Sequence, residues 1–449
     1  MTWGTLAAAD EEPSTQPSPP TETRPSQSSP KRAPPNYDGR GGEPVHDGAG
    51  VWLGRILLSP LYFTTEYLLR LPLGALTIAA ERADLFNKAY DFFAFGPDHK
   101  AGIVPVAFWE FGFVPSVGAW GFWDDAFFVR RNQLRVHYEL WPDDVWLAGS
   151  ITDRYSFDRE DRRVLQLRVA GLRRPDQPFY GIGPTSLNSN QSRYTITRFD
   201  IDAMMQLRGW RSSLVEVAAG LRKADMTPGE YRPDPSLEEQ AATGAFPVPF
   251  GFNRGYMGPR ARVLAKLDTR PRDATRGSGV RLEAQVEEGT DLEHDPSSSW
   301  IRYGAVATGF LDLDDHGRVL GLSLAALFAD PLGSEPIPFN ELVSLGGDKW
   351  MVGYYPGRLL GRSAAVAMLH YTWPIAPWID ATLQAAFGNV FDEHLSGFDP
   401  GLLRFSGSFG ISTATSPPIQ LLLGFGTETF DSGGKVDSVH LAFGFPHSF

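Results

Sequence analysis

The sequence predicts an all-β chain: a transmembrane antiparallel β-barrel of about 16 strands, preceded by a disordered segment and short amphipathic helices. Three observations predict it. Apolar and polar residues alternate with period two along successive segments after Gly102. The connections between those segments are short and long by turns. The chain also ends on an alternating segment whose last residue is Phe449.

Composition narrows the field first. Of 449 residues, 41 are Lys or Arg, 53 are Asp or Glu and none is Cys, for a net charge of −12. A disulfide scaffold, a thiolate zinc or iron–sulfur site and a cysteine nucleophile are therefore excluded. The acidic balance and scattered charges argue against nucleic acid as a partner, because counterion release needs clustered Lys and Arg. No uncharged apolar run reaches about 18 residues, so no transmembrane helix is predicted. The mean hydropathy of −0.22 is uninformative about barrels, whose strands are only half apolar.

Residues 1–47 are expected to be a signal remnant and a disordered linker. The small-residue run in MTWGTLAAAD resembles a signal-peptidase site. Pro, Ser, Thr and Glu dominate residues 11–47, leaving too few apolar groups to offset the entropy of ordering. Residues 48–100 read as an amphipathic helical periplasmic segment. Ile56, Leu57, Leu61, Leu68, Leu69 and Leu76 alternate at helical spacing with Arg55, Glu66, Arg70, Glu81 and Arg82, with breaks at Pro60 or Pro72. This segment is too charged to span a bilayer, and a packing element is preferred to an interfacial anchor.

Residues 101–449 form the expected outer-membrane barrel. The clearest strand sets Val280, Leu282, Ala284 and Val286 against Arg281, Glu283, Gln285 and Glu287. A second sets Leu165, Leu167 and Val169 against Gln166, Arg168 and Ala170. In a third, Val263, Ala265 and Leu267 oppose Arg262, Lys266, Asp268 and Arg270, with only Leu264 breaking the polar face. Turn-forming residues divide the region into strands near 102–113, 118–130, 132–142, 145–157, 161–176, 195–209, 212–225, 259–270, 279–289, 299–313, 317–329, 360–374, 378–390, 403–414, 418–430 and 438–449. A soluble sandwich also alternates, so the connections decide. Those at 130–132, 158–160, 210–211, 271–278, 314–316, 375–377 and 415–417 are short. The intervening ones at 177–194, 226–258, 290–298, 330–359 and 391–402 are mostly long, the asymmetry of outer-membrane barrels.

The terminal segment HLAFGFPHSF puts Leu441, Phe443, Phe445, His447 and Phe449 on one largely apolar face, opposite His440, Ala442, Gly444, Pro446 and Ser448. A terminal Phe on an alternating strand resembles the signal by which outer-membrane barrels are inserted. Pro446 cannot donate to a ladder, so the seam between the last and first strands is expected to be weak there.

Several segments resemble the bacterial surface antigen family, the superfamily of outer-membrane assembly and secretion barrels of BamA and TamA type. FYGIGPTS (Phe179 to Ser186) resembles its third outer loop, and LDTRPRDATRGSGVRLE (Leu267 to Glu283) its DTRD…PTRG hairpin. ELVSLGGDKWMVGYYPGR (Glu341 to Arg358) resembles the sixth outer loop, which in that family folds back into the lumen and carries a V-R-G-F/Y tip. LHYTWPI and LQAAFGNVF resemble the two strands that follow. The lumen-loop motif is thus Gly346, Gly347, Val352, Gly353, Tyr354 and Arg358.

The departures from the family pattern are specific. Val352 stands at the position of the loop-tip Arg, which in the family is held by acidic groups on the lumen wall. The F-x-D-x-G motif aligns to Phe387 through Phe391, the candidate barrel partners being Phe387 and Asn389, with Asn389 replacing the acid. The family's E-Y-R is His370, Tyr371 and Thr372 here. Losing both members of an ion pair together leaves no buried charge unpaired. The loop is then expected to be held by Trp350, Tyr354 and Tyr355, with Arg358 a candidate for the absent arginine's role. The family's POTRA modules find no room in residues 1–100 after the linker, so a periplasmic protein is a candidate partner.

Arg262, Lys266, Asp268, Arg270, Arg281 and Glu283 are expected on the lumen wall, as a solvated and mutually paired lining rather than a conduction path. The nine His residues show no metal-ligand spacing and no G-x-S-x-G elbow occurs, so neither a metal, a cofactor nor an enzymatic activity is expected. The resemblance implies outer-membrane protein assembly or protein translocation in the bacterial outer membrane. Its partners would be the lipid bilayer and, for its own insertion, the barrel assembly machinery. The alternative is a POTRA-less barrel serving as a channel, a structural protein or a membrane partner.

Overall fold

The computed structural model of the chain describes residues 88, 91–96, 98–141, 146–229, 231, 234–271, 277–313, 317–376, 379–413 and 418–445. The expected signal remnant, the linker and most of the helical segment fall outside the described residues, as do Pro446 and Phe449.

Sixteen antiparallel strands close into a barrel. They are β1 (Ala101–Glu110), β2 (Ser116–Asp124), β3 (Asn132–Trp141) and β4 (Trp146–Ser156); β5 (Arg163–Phe179), β6 (Ser192–Arg208), β7 (Leu214–Pro228) and β8 (Tyr256–Asp268); β9 (Gly279–Thr290), β10 (Ser299–Asp312), β11 (Val319–Pro331) and β12 (Ser363–Ala376); and β13 (Ile379–Phe391), β14 (Arg404–Thr413), β15 (Gln420–Thr427) and β16 (Val436–Gly444). Each strand pairs with its sequence neighbours, and β16 returns to β1. All sixteen expected strands are present, displaced at their ends by a few residues. The largest difference is at β2, expected to run to 130 but ending at Asp124, where positive φ at Asp125, Phe127 and Phe128 breaks the ladder; β5 and β6 run on beyond the alternation because Phe179, Tyr194 and Ile196 at their long-loop ends enter a buried cluster.

The period-two pattern sets the two faces. Ile151, Leu221, Val263, Leu282 and Leu324 project outward and stay roughly half exposed, as a bilayer-facing surface requires. The inward positions between them carry the charges, and two ends of the lumen differ in what fills them. Toward the short turns the wall from β5 to β10 is polar, lined by Arg168, Arg198, Arg260 and Arg302, while Ile375, Ile379 and Ala381 form a small apolar cluster at the β12–β13 turn. Toward the long loops the lumen is packed with Phe246, Phe252, Trp300, Phe339, Trp350 and their neighbours. One short helix, α1 (Leu237–Ala242), lies in the loop between β7 and β8. Its start is fixed by a capping box in which the Ser236 hydroxyl accepts from the Glu239 N–H and the Glu239 carboxylate accepts from the Ser236 N–H.

The outward face gives a direct test. Leu221 sits at mid-strand in β7, so Leu221→Arg should destabilise the barrel in a bilayer by about 2–4 kcal/mol, measured by equilibrium unfolding from lipid vesicles.

Candidate functional site

The loop joining β11 to β12 enters the barrel. It makes a tight turn at Phe339–Glu341 and then a two-stranded ribbon, Val343–Leu345 against Leu359–Gly361. Gly346 (φ 112°) and Gly347 (φ 86°) turn the chain out of the ribbon, a conformation that disfavours any side chain. The Gly346 and Gly347 N–H groups donate to the carbonyls of Trp350 (2.9 Å) and Tyr354 (2.8 Å), closing the tip on itself.

Three anchors hold this inner loop. At its entry Glu341, almost fully buried, meets Arg222 of β7 (2.8 Å), Arg302 of β10 (3.1 Å) and the Tyr256 hydroxyl. Burial alone would raise the Glu341 carboxyl, but Arg302, Arg222 and Tyr256 outweigh it and bring its pKa from 4.5 down to about 2.

At the exit Arg358 is fully buried. Its guanidinium donates to the Ser186 hydroxyl (2.9 Å), the Ser186 carbonyl (3.2 Å) and Asp437 (3.0 Å), and lies over the Tyr180 ring at 4.5 Å. Arg404 of β14 shares the same acceptors, reaching the Ser186 carbonyl at 2.7 Å and Asp437 at 3.4 Å. One carboxylate thus serves two buried guanidiniums, with loop carbonyls supplying the remaining acceptors.

The tip is the third anchor. The Gly353 N–H donates to the Ser406 hydroxyl (2.8 Å), and a Cβ on Gly353 would overlap the Phe425 carbonyl of β15. Tyr354 is fully buried over Gly426; its hydroxyl donates to the Thr427 carbonyl (2.5 Å) and accepts from the Thr427 N–H (2.7 Å). Val352, buried, offers its carbonyl to His440 Nδ1 at 2.7 Å, and His440 Nε2 lies 2.9 Å from Glu110. A carbonyl oxygen only accepts, so Nδ1 carries a hydrogen; Nε2 and Glu110 then share a proton across the junction of β16 and β1.

Among the described residues that junction is short: Ala442, Phe443 and Gly444 pair with Glu110, Trp109 and Phe108. The next shortest barrel interface, β14 with β15, pairs seven residues. Two hydrogen bonds flank the seam, Phe111 N–H to Leu441 (2.8 Å) and Phe445 N–H to Ala107 (3.0 Å). Lower down, a two-residue strand, Ala94–Phe95, pairs with Gly102 and Ala101. Gly102 faces Phe122 of β2 on its other side, so this short strand takes the edge of β1 away from β2.

The remaining expected residues fall as follows. Asn389, fully buried, donates to the carbonyls of Pro184 (3.0 Å) and Leu402 (2.6 Å), which an ionised Asp could not do. Phe387 does not join the loop anchors: 46% exposed, it packs against Phe405 at 5.0 Å and Phe430 at 6.2 Å. On the wall Asp268 binds Arg270 (2.9 Å) and Arg281 (3.0 Å), Arg281 reaches Glu283 (3.3 Å), and Lys266 stands opposite Glu283 in the register. Arg270 also covers the Phe310 ring at 3.6 Å. Arg262 faces a cavity beneath the loop. Phe443 is at the seam and 54% exposed. Glu110, Glu341, Arg404, Asp437 and His440 were not marked by sequence as site residues.

The chain is similar to several solved structures. BamA from Haemophilus ducreyi lacking POTRA domains 1–3 superposes with a TM-score of 0.52 at 12% identity, covering 77% of this chain and 70% of that one. The fold is shared with BamA. CdiB from Acinetobacter baumannii gives a TM-score of 0.46 at 11% identity over 77% of this chain and 59% of that one. OccK11 (OpdR) from Pseudomonas aeruginosa gives 0.34 at 11% identity, covering 77% of this chain and 96% of that one. No family model matches the chain, and no curated protein sequence does.

The entry anchor carries a pH dependence. Because the Glu341 carboxyl is lower in the folded protein than in the unfolded one, its stabilisation is complete above about pH 4.5 and is lost as pH falls toward 2. Equilibrium unfolding of Glu341→Gln should show about 3–5 kcal/mol less stability at pH 7, with the wild-type fall below pH 4.5 flattened.

Proposed function

We propose that this chain is a bacterial outer-membrane barrel that works through its seam, in outer-membrane protein assembly or protein translocation. The observation that supports the reading is that, among the described residues, β16 pairs with β1 over three residues, beside interfaces that are all longer. In a bilayer an unpaired strand edge costs several kcal/mol per backbone group, so an edge left open is a place where an incoming strand gains hydrogen bonds. The edge of β1 from Ile103 to Val106, between the β16 and Ala94–Phe95 pairings, is such a stretch among the described residues. The inner loop keeps the lumen closed while the seam parts. Substrate-presenting modules would be supplied by a periplasmic partner, and the barrel assembly machinery would insert the chain itself. The role is mechanical, with no catalysed bond change.

The apolar filling of the long-loop half favours one second reading, a plugged barrel serving as a channel or structural partner. Trp109 and Phe443 face each other across the seam in a chain without native cysteine. Trp109→Cys/Phe443→Cys, oxidised in proteoliposomes, should lose insertion of a denatured barrel substrate about tenfold or more and regain it on reduction. Unchanged insertion in the locked form contradicts the seam mechanism. Large conductance appearing on deletion of 341–358, with no insertion by the intact protein, favours the second reading.

A further inference from the structure

Between the inner loop and the short-turn end the lumen holds a cavity of about 360 Å³. Its wall carries Arg168 of β5, Arg198 of β6, Arg222 of β7, Arg260 and Arg262 of β8, and Arg302 of β10. The acids among its lining are Asp200, Asp202 and Glu287. A cationic chamber inside a chain of net charge −12 is a segregation of charge that composition does not anticipate.

The carboxylates are shared rather than matched one to one. Asp200 takes Arg222 at 2.7 Å and Arg198 at 3.0 Å, with Arg260 at 3.6 Å. Arg260 also pairs with Asp202 and Arg302 with Glu287. Arg262 has Glu216 only at 4.0 Å. Each guanidinium presents five N–H donors and each carboxylate about four acceptor positions, so twice as many guanidiniums as lining acids leaves donors in excess. Outside the lining, Glu341 takes up part of that excess from Arg222 and Arg302, and Glu216 stands near Arg262. The cavity surface itself carries six guanidiniums and three carboxylates, a positive lining whose field is focused by the barrel's low-dielectric wall.

We propose that this chamber binds a multivalent oxyanion of the phosphate class, entering from the aqueous short-turn end. Planar guanidinium forks converging from several strands suit tetrahedral oxyanions bidentately, and the volume accommodates a diphosphate with its water. The inference does not rest on the seam reading: a barrel with no insertion activity would carry the same site.

The test is calorimetric titration of the full chain, in nanodiscs of zwitterionic lipid, with inorganic pyrophosphate. Saturable binding is expected, with acetate competing weakly. Arg168→Gln/Arg262→Gln should weaken it at least tenfold while heat-modifiable gel mobility reports an intact barrel. Gln166→Glu, which adds a carboxylate to the same wall and removes no guanidinium, should weaken it as well and serves if the double variant does not fold. Anionic phospholipid in the disc distinguishes sources: unchanged pyrophosphate affinity marks a solute phosphate, competition a lipid headgroup. Absence of saturable binding, or equal affinity in wild type and both variants, overturns the proposal.

Discussion

One imidazole ties the first strand, the last strand and the inner loop together. His440 on β16 holds the Val352 carbonyl of the loop tip with one nitrogen and Glu110 on β1 with the other. The backbone contributes little at this place, because among the described residues three on each side pair. A hydrogen bond to a charged partner is worth about 1.5–3 kcal/mol, comparable to several ordinary ladder bonds. Closure of the barrel therefore depends on a side chain that reads the position of the loop.

The loop in turn depends on groups that lie far from it in sequence. Glu341 is fixed by β7 and β10, and Arg358 by Ser186 in the loop between β5 and β6 and by Asp437 at the start of β16. Removing either charge strands its partners in a buried setting, which is why these anchors constrain the loop strongly even where they add little net stability. Glycine completes the fit at the tip: Gly353 lies directly on the β15 backbone, and Gly426 makes room for the Tyr354 ring. The loop, the filled long-loop half and the seam thus form one mechanical unit above a cationic chamber.

Strand number and position were legible because period two and turn chemistry are local properties, carried by runs such as Val280 to Glu287. Arg358 and the glycines of the inner loop stood out through their motif. Their partners did not, since nothing local relates Glu341 to Arg222, 119 residues away, or Arg358 to Ser186, 172 residues away. The replacement of an expected Asp by Asn389 becomes intelligible only once two loop carbonyls are seen facing its amide. Phe387 shares that motif yet stays on the exposed surface, because motif membership does not specify what a strand residue packs against. The cationic chamber escaped notice because its arginines come from five strands, each unremarkable alone.

The central claim, that the loop-bound imidazole rather than backbone pairing keeps the seam shut, is tested most directly by native-state amide exchange. The Phe111 and Phe445 N–H groups span the seam and report its opening. His440→Ala in lipid should accelerate exchange at both amides about tenfold or more, the equivalent of one charge-assisted hydrogen bond, while amides in β5 and β6 keep their protection. Wild-type protection at Phe111 and Phe445 in that variant would contradict the account.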